Sequence, residues 1–222
     1  MKKLLFTFLM LLPFIVAGQT IEDIKYYESG AVESKVIVAG RTKVLIQYYE
    51  SGVIKMKVDF VNRNLEGELS DYYKLEGEFI NYYESGAVKS KCYYLDDTLQ
   101  GESIDYYKNG VVEHKINFLD GKFQGESIRY YESGALRSKT NHLDGKIQGE
   151  VIQYYESGEI ESISNFLDGK KQGRRVYYTI KGGINYIENY KDGVLGRRVY
   201  YTIKGGIKYI ANFKDGVLID NN

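Results

Sequence analysis

Two histidines, one cysteine and several evenly spaced carboxylates and serines are the residues of this chain that could carry a reaction. His114 and His142 fall eight and twelve residues after the first tyrosine of their local Tyr-Tyr pairs, so they occupy different places in the pattern. No Cys/His cluster accompanies them, and a metal needs three or four convergent ligands, so no metal is expected. Glu84, Glu132 and Glu156, with Asp120, Asp144 and Asp168, recur at turn positions, where acidic side chains suit loop geometry. Catalytic carboxylates form an asymmetric pair, one of them raised in pKa by an apolar pocket, whereas repetition in every unit reads as structure. Ser85, Ser133 and Ser157 lie in Glu-Ser-Gly turns without a strand-turn-helix elbow or a histidine in step. The Lys181-Gly182-Gly183 and Lys204-Gly205-Gly206 runs have no following helix and make poor phosphate cradles. Cys92 is the only cysteine; it can form no intramolecular disulfide and is expected to pack as a small apolar residue. These residues point to no enzyme and no cofactor.

The set with a binding capacity is the second tyrosine of successive pairs: Tyr83, Tyr107, Tyr131 and Tyr155. Tyrosine offers a large contact area at low entropy cost, so these four are candidates for a strip that binds a peptide, a glycan or a partner strand. The other reading is that they pack on one another and shield the backbone.

What positions them is a repeat. Tyr-Tyr pairs begin at 26, 48, 72, 82, 106, 130, 154, 177 and 200, mostly 22 to 24 residues apart. A fixed period of that length signals a repeat array. Each unit reads as two short strands. The outgoing strand, such as 126–132, ends at Glu-Ser-Gly, and the return strand, about 135–143, ends at Asp144-Gly145-Lys146. The expected fold is all-β: an elongated single-sheet β-meander of tandem hairpins. Alternation places Ile104, Ile128 and Ile152 on one side and Tyr107, Tyr131 and Tyr155 on the other. It also sorts Lys91, Lys115 and Lys139 away from the apolar side, predicting one apolar and one charged face.

Three irregularities divide the array. The stretch 19–47 lacks the Asp-Gly-Lys turn and reads as a degenerate N-terminal cap to an array over 48–222. A return strand is missing between Tyr72 and Tyr82, which predicts a break or hinge near 74–77. Residues 174–196 and 197–219 match at 19 of 23 positions, and Arg175 and Arg198 fall where other repeats carry isoleucine.

Residues 1–18 stand apart: Lys2 and Lys3 precede an apolar run from Leu4 to Ala17, and Val16 and Gly18 suit a signal peptidase. A cleaved export signal is expected, giving a periplasmic, surface or secreted protein. Thirty Lys/Arg balance thirty Asp/Glu, which argues against a nucleic-acid partner, since phosphate binding draws on a cationic excess. Open edge strands template association, so self-association is expected.

The pattern G-E-x-I-x-Y-Y-E-S-G-A-x-x-S-K-x-x-x-L-D-G-K-x-x-G, clearest over 101–125, 125–149 and 149–173, resembles the bacterial variant of the MORN repeat. Proteins of this type are often grouped as YwqK-like antitoxins. The resemblance implies a β-meander ribbon that works as a scaffold, through a protein partner or contact with an envelope glycan or membrane lipid. The antitoxin grouping implies neutralisation of a partner toxin.

Overall fold

Two turn types alternate along the chain and dictate its course. At the Tyr-Glu-Ser-Gly corner, the Gly134 N–H donates to the Tyr131 carbonyl at 2.9 Å, and the Tyr131 N–H donates to the Ala135 carbonyl at 2.8 Å. Gly134 sits at φ 88°, a conformation open to glycine and costly for residues with a Cβ. The opposite turn has two residues, Asp144 at φ 50° and Gly145 at φ 82°. Two successive left-handed residues make a type I′ turn, whose twist matches that of the strands it joins.

The computed structural model describes residues 18–62 and 73–221. They form one antiparallel sheet of nineteen strand segments, from Gln19–Tyr26 to Val217–Asn221. Strands pair in chain order, the short segments Lys122–Phe123 and Lys146–Ile147 each with the preceding strand alone, and the sheet is an unclosed meander. The expected export signal falls outside the described residues except for Gly18. The expected cap is two full strands, Gln19–Tyr26 and Val32–Ala39, the second paired with Thr42–Tyr48.

Residues 74–77, where a break was expected, lie inside the strand Tyr73–Tyr82, which pairs with Ile54–Asn62 on one side and Val88–Leu95 on the other. Register moves from Val58–Phe79 to Phe60–Leu75, leaving 76–78 opposite Asp59 alone. The same jump separates Lys91–Ile104 from Tyr93–Gln100, so it belongs to the ordinary unit. Gly77, at φ 123°, stands where Gly101, Gly125, Gly149 and Gly173 stand in later units. Tyr73 is therefore the start of an outgoing strand, and the extra length falls at 63–72, outside the described residues.

The two faces also differ from expectation. Ile80, Lys91, Ile104, Lys115, Ile128, Lys139 and Ile152 are successive cross-strand partners, so isoleucine and lysine share one face. The row continues as Ile163, Val176, Ile187, Val199 and Ile210. The cause is a bulge beside each three-residue loop. Arg129 pairs with Ser138 but Tyr130 pairs with Leu136, leaving Arg137 as an extra residue on the return strand. One added residue reverses which way every later side chain points. Val176 and Val199, not Arg175 and Arg198, hold the isoleucine positions of the last two units, and the two arginines face the other side.

A single layer buries little. Among the described residues Val58, Ile104, Ile116, Ile187, Val199 and Ala211 are the buried apolar side chains. The accessible surface is 15133 Å², against roughly 10,000 Å² for a compact monomer of this mass. Cohesion therefore comes mainly from neighbouring strands, as in other quasi-one-dimensional arrays.

Candidate functional site

Tyr83, Tyr107, Tyr131 and Tyr155 are half-buried at the loop edge of the face that carries His114. Their hydroxyls donate to backbone carbonyls one repeat ahead: Tyr83 to Tyr106 at 2.6 Å, Tyr107 to Tyr130 at 2.8 Å, Tyr131 to Tyr154 and Tyr155 to Tyr178, both at 2.7 Å. Tyr27 and Tyr49 do the same towards Tyr48 and Tyr82. Each hydroxyl thus staples its unit to the next. Burial, followed by nearby carboxylates, pushes the Tyr83 and Tyr131 phenols up from their ordinary range. The far edge is laced in the same direction. Gln148 Oε1 accepts from the Asp168 N–H at 2.9 Å, Gln172 Oε1 from the Asp192 N–H at 2.8 Å, and the Gly169 N–H reaches the Ile147 carbonyl.

Register brings together three residues that spacing had not connected. His114 Nε2 lies 2.7 Å from Ser127 Oγ, and its Nδ1 lies 3.8 Å from Asp105 Oδ2. Serine, histidine and aspartate in that order are the elements of a nucleophilic triad. Ser127, however, is 6% exposed in the middle of the strand Gly125–Tyr130, paired on both sides. The arrangement satisfies the polar atoms of a buried serine and histidine. The only sequence signal for it is cross-strand register, which the bulges conceal. His142 packs its ring 5.4 Å from Phe123, and burial, then His114, lowers its pKa. Cys92 pairs with Phe79; burial, then Asp105, pushes its thiol up. Among the described residues no three His, Cys, Asp or Glu side chains are grouped to hold a metal.

In the last two units charge enters the face on which Ser127 and His114 lie. Arg175, Glu188, Arg198 and Ala211 are successive cross-strand partners. Glu188 is 3% exposed; its Oε1 accepts from Arg198 Nε at 2.9 Å and its Oε2 from the Tyr190 hydroxyl at 2.9 Å. Arg198 also donates to the Tyr200 hydroxyl at 3.0 Å, while Arg175 donates to Gln153 and stacks 4.2 Å from the Tyr177 ring. Beside this network Tyr177, Tyr186, Tyr200 and Tyr209 form a stack, with centroids 4.2, 5.5 and 4.2 Å apart. Here the Tyr-Tyr pair has slipped by one position. Tyr177 occupies the place of Gln153, and Thr179 and Thr202 hold the stapling positions, so ring stacking takes over from the hydroxyl staple.

The near-copy differences follow from the same network. Glu188 lies between two arginines, whereas Ala211 meets Arg198 on one side and Asn221 on the other. The carboxylate and its phenol donor are absent together, since Phe213 replaces Tyr190. Ile219 can replace Gly196 because that glycine has no positive φ.

Charge is segregated along the ribbon, which the whole-chain balance conceals. Residues 18–169 hold seventeen Lys/Arg and twenty-six Asp/Glu; residues 170–222 hold eleven and four. A cavity of about 460 Å³ opens at the basic end, lined by Tyr190, Leu195 and Phe213 among others.

The MORN repeat variant model matches the chain in five places, at 41–62, 75–96, 99–120, 123–144 and 147–168. No curated protein matches. Among solved structures, a porin-like protein from Bacteroides uniformis is similar at 10% identity, covering 92% of this chain and 94% of that one with a TM-score of 0.21.

Proposed function

The chain is built of tandem MORN repeats of the variant type, and from that architecture we propose a non-catalytic scaffold that binds a protein partner outside the cytoplasm. The observation that carries this reading is a continuous polar row on the face bearing His114, in which Arg129 is exposed while His114 and Ser162 are buried. Along it Asn81, Ser90, Asp105, His114, Arg129, Ser138, Gln153 and Ser162 stand in one cross-strand row, giving an extended polar track. Export rests on the charged and apolar character of 1–18. Neutralisation of a toxin is a sharper form of the same reading and calls for one tight partner.

Affinity capture from the native extract tests it. Arg129→Glu alters an exposed member of the track and is expected to lose the partner, whereas Tyr107→Phe, which removes only a staple hydroxyl, retains it. Equal capture by wild type and Arg129→Glu counts against this face. A second reading, contact with an anionic envelope glycan or lipid, draws on the cationic surplus of 170–222. It calls for salt-sensitive retention on purified cell wall or anionic vesicles.

A further inference from the structure

Among the described residues no second layer covers the isoleucine–lysine face, and its charges carry a pattern. Glu126 and Glu150 occupy one position of their units, two residues before Ile128 and Ile152, and Arg174 and Arg197 occupy the same position before Val176 and Val199. All four therefore project from the isoleucine face and all are exposed, and among the described residues the ion pairs involve none of them. Arg174 and Arg197 both pair with Asn189 and so lie two strands apart. Glu126 and Glu150 likewise belong to consecutive units, also two strands apart. The acidic and basic rows thus share one pitch of about 9.6 Å. Exposed Leu119, Leu143, Leu167 and Val194 run along the same face, at 55, 53, 53 and 47% exposure.

We propose that this face is an interface between two copies of the chain, packed sheet on sheet and turned end for end. In that arrangement Arg174 of each copy meets Glu150 of the other, and Arg197 meets Glu126, while the leucine row is withdrawn from water. Several features select a second copy as the occupant. The opposite charges already lie on the chain, at matched spacing, and an end-for-end turn brings both pairs together simultaneously. A sheet face is ordinarily covered by another layer about 10 Å away, whereas the leucine row of this one stands exposed. The proposal concerns the isoleucine face and is independent of partner binding on the His114 face.

Sedimentation of the full chain tests it. A dimer is expected in about 0.05 M salt, weakening as salt rises to about 0.5 M. The double variant Arg174→Glu/Arg197→Glu is expected to weaken association at least roughly tenfold, and so is Glu126→Arg/Glu150→Arg. Combining all four substitutions restores the charge match and is expected to recover the dimer. Circular dichroism of each variant separates loss of fold from loss of pairing, and these exposed positions leave the sheet intact. A monomer at high concentration in low salt, a dimer indifferent to the reversals, or failure of the fourfold exchange to rescue overturns the proposal. Retained partner capture by Arg174→Glu/Arg197→Glu shows that the scaffold reading stands separately.

Discussion

The hydroxyl of Tyr107 donates to the carbonyl of Tyr130 at 2.8 Å, reaching the equivalent tyrosine pair of the next unit. Replacing it with phenylalanine keeps the half-buried ring and removes the donor. Tyr107→Phe is expected to lower stability by about 1 kcal/mol, the net worth of an ordinary hydrogen bond. A denaturant titration reads this as a lower midpoint with an unchanged slope.

Gly134 turns the loop at φ 88°, and a Cβ there meets only Val111 Cγ1, at an ordinary 3.8 Å. Substitution therefore costs conformation and no clash. Gly134→Ala is expected to destabilise by about 1–2 kcal/mol, with Gly134→Asn losing less because asparagine tolerates this region. Equal losses for the two would contradict a purely conformational cost.

Glu188 is buried between Arg175 and Arg198. Glu188→Ala leaves the Tyr190 hydroxyl without its acceptor and is expected to cost roughly 1–3 kcal/mol. Adding Tyr190→Phe recreates the Ala211 and Phe213 pair of the last unit and is expected to recover part of that loss. A double-mutant cycle with no coupling would separate the two residues.

Burial raises several phenols; Tyr190 is pushed up to about 12, with Glu188 adding to the effect, and Tyr186 is raised above the ordinary range. A phenol raised on folding contributes stability below its unfolded value near 10 and loses it as the pH climbs through the folded value. The fold is expected to weaken between about pH 10 and pH 12. Tyr190→Phe should flatten that dependence in thermal melts recorded across the range.

The rhythm of tyrosine, Glu-Ser-Gly and Asp-Gly was enough to read the meander, because each glycine or aspartate sits where the backbone must turn left-handed. Facing was not legible in the same way. It depends on Arg137 and its equivalents standing unpaired in bulges, and no residue type announces a bulge there. The slip that makes Thr179 the counterpart of Tyr155 misled for a similar reason: two adjacent tyrosines look alike whichever position they fill. The contact of Ser127 with His114 arises only once those registers are known. The segregation of charge was visible along the chain but vanished in a whole-chain total of zero.

The forward direction of the staples bears on synthesis. Each phenol and each turn glutamine waits for an acceptor or donor that emerges one unit later, so a nascent chain adds rungs without remodelling those already formed. The ribbon can consequently assemble vectorially, from its N-terminal hairpins onward, as the polypeptide is delivered.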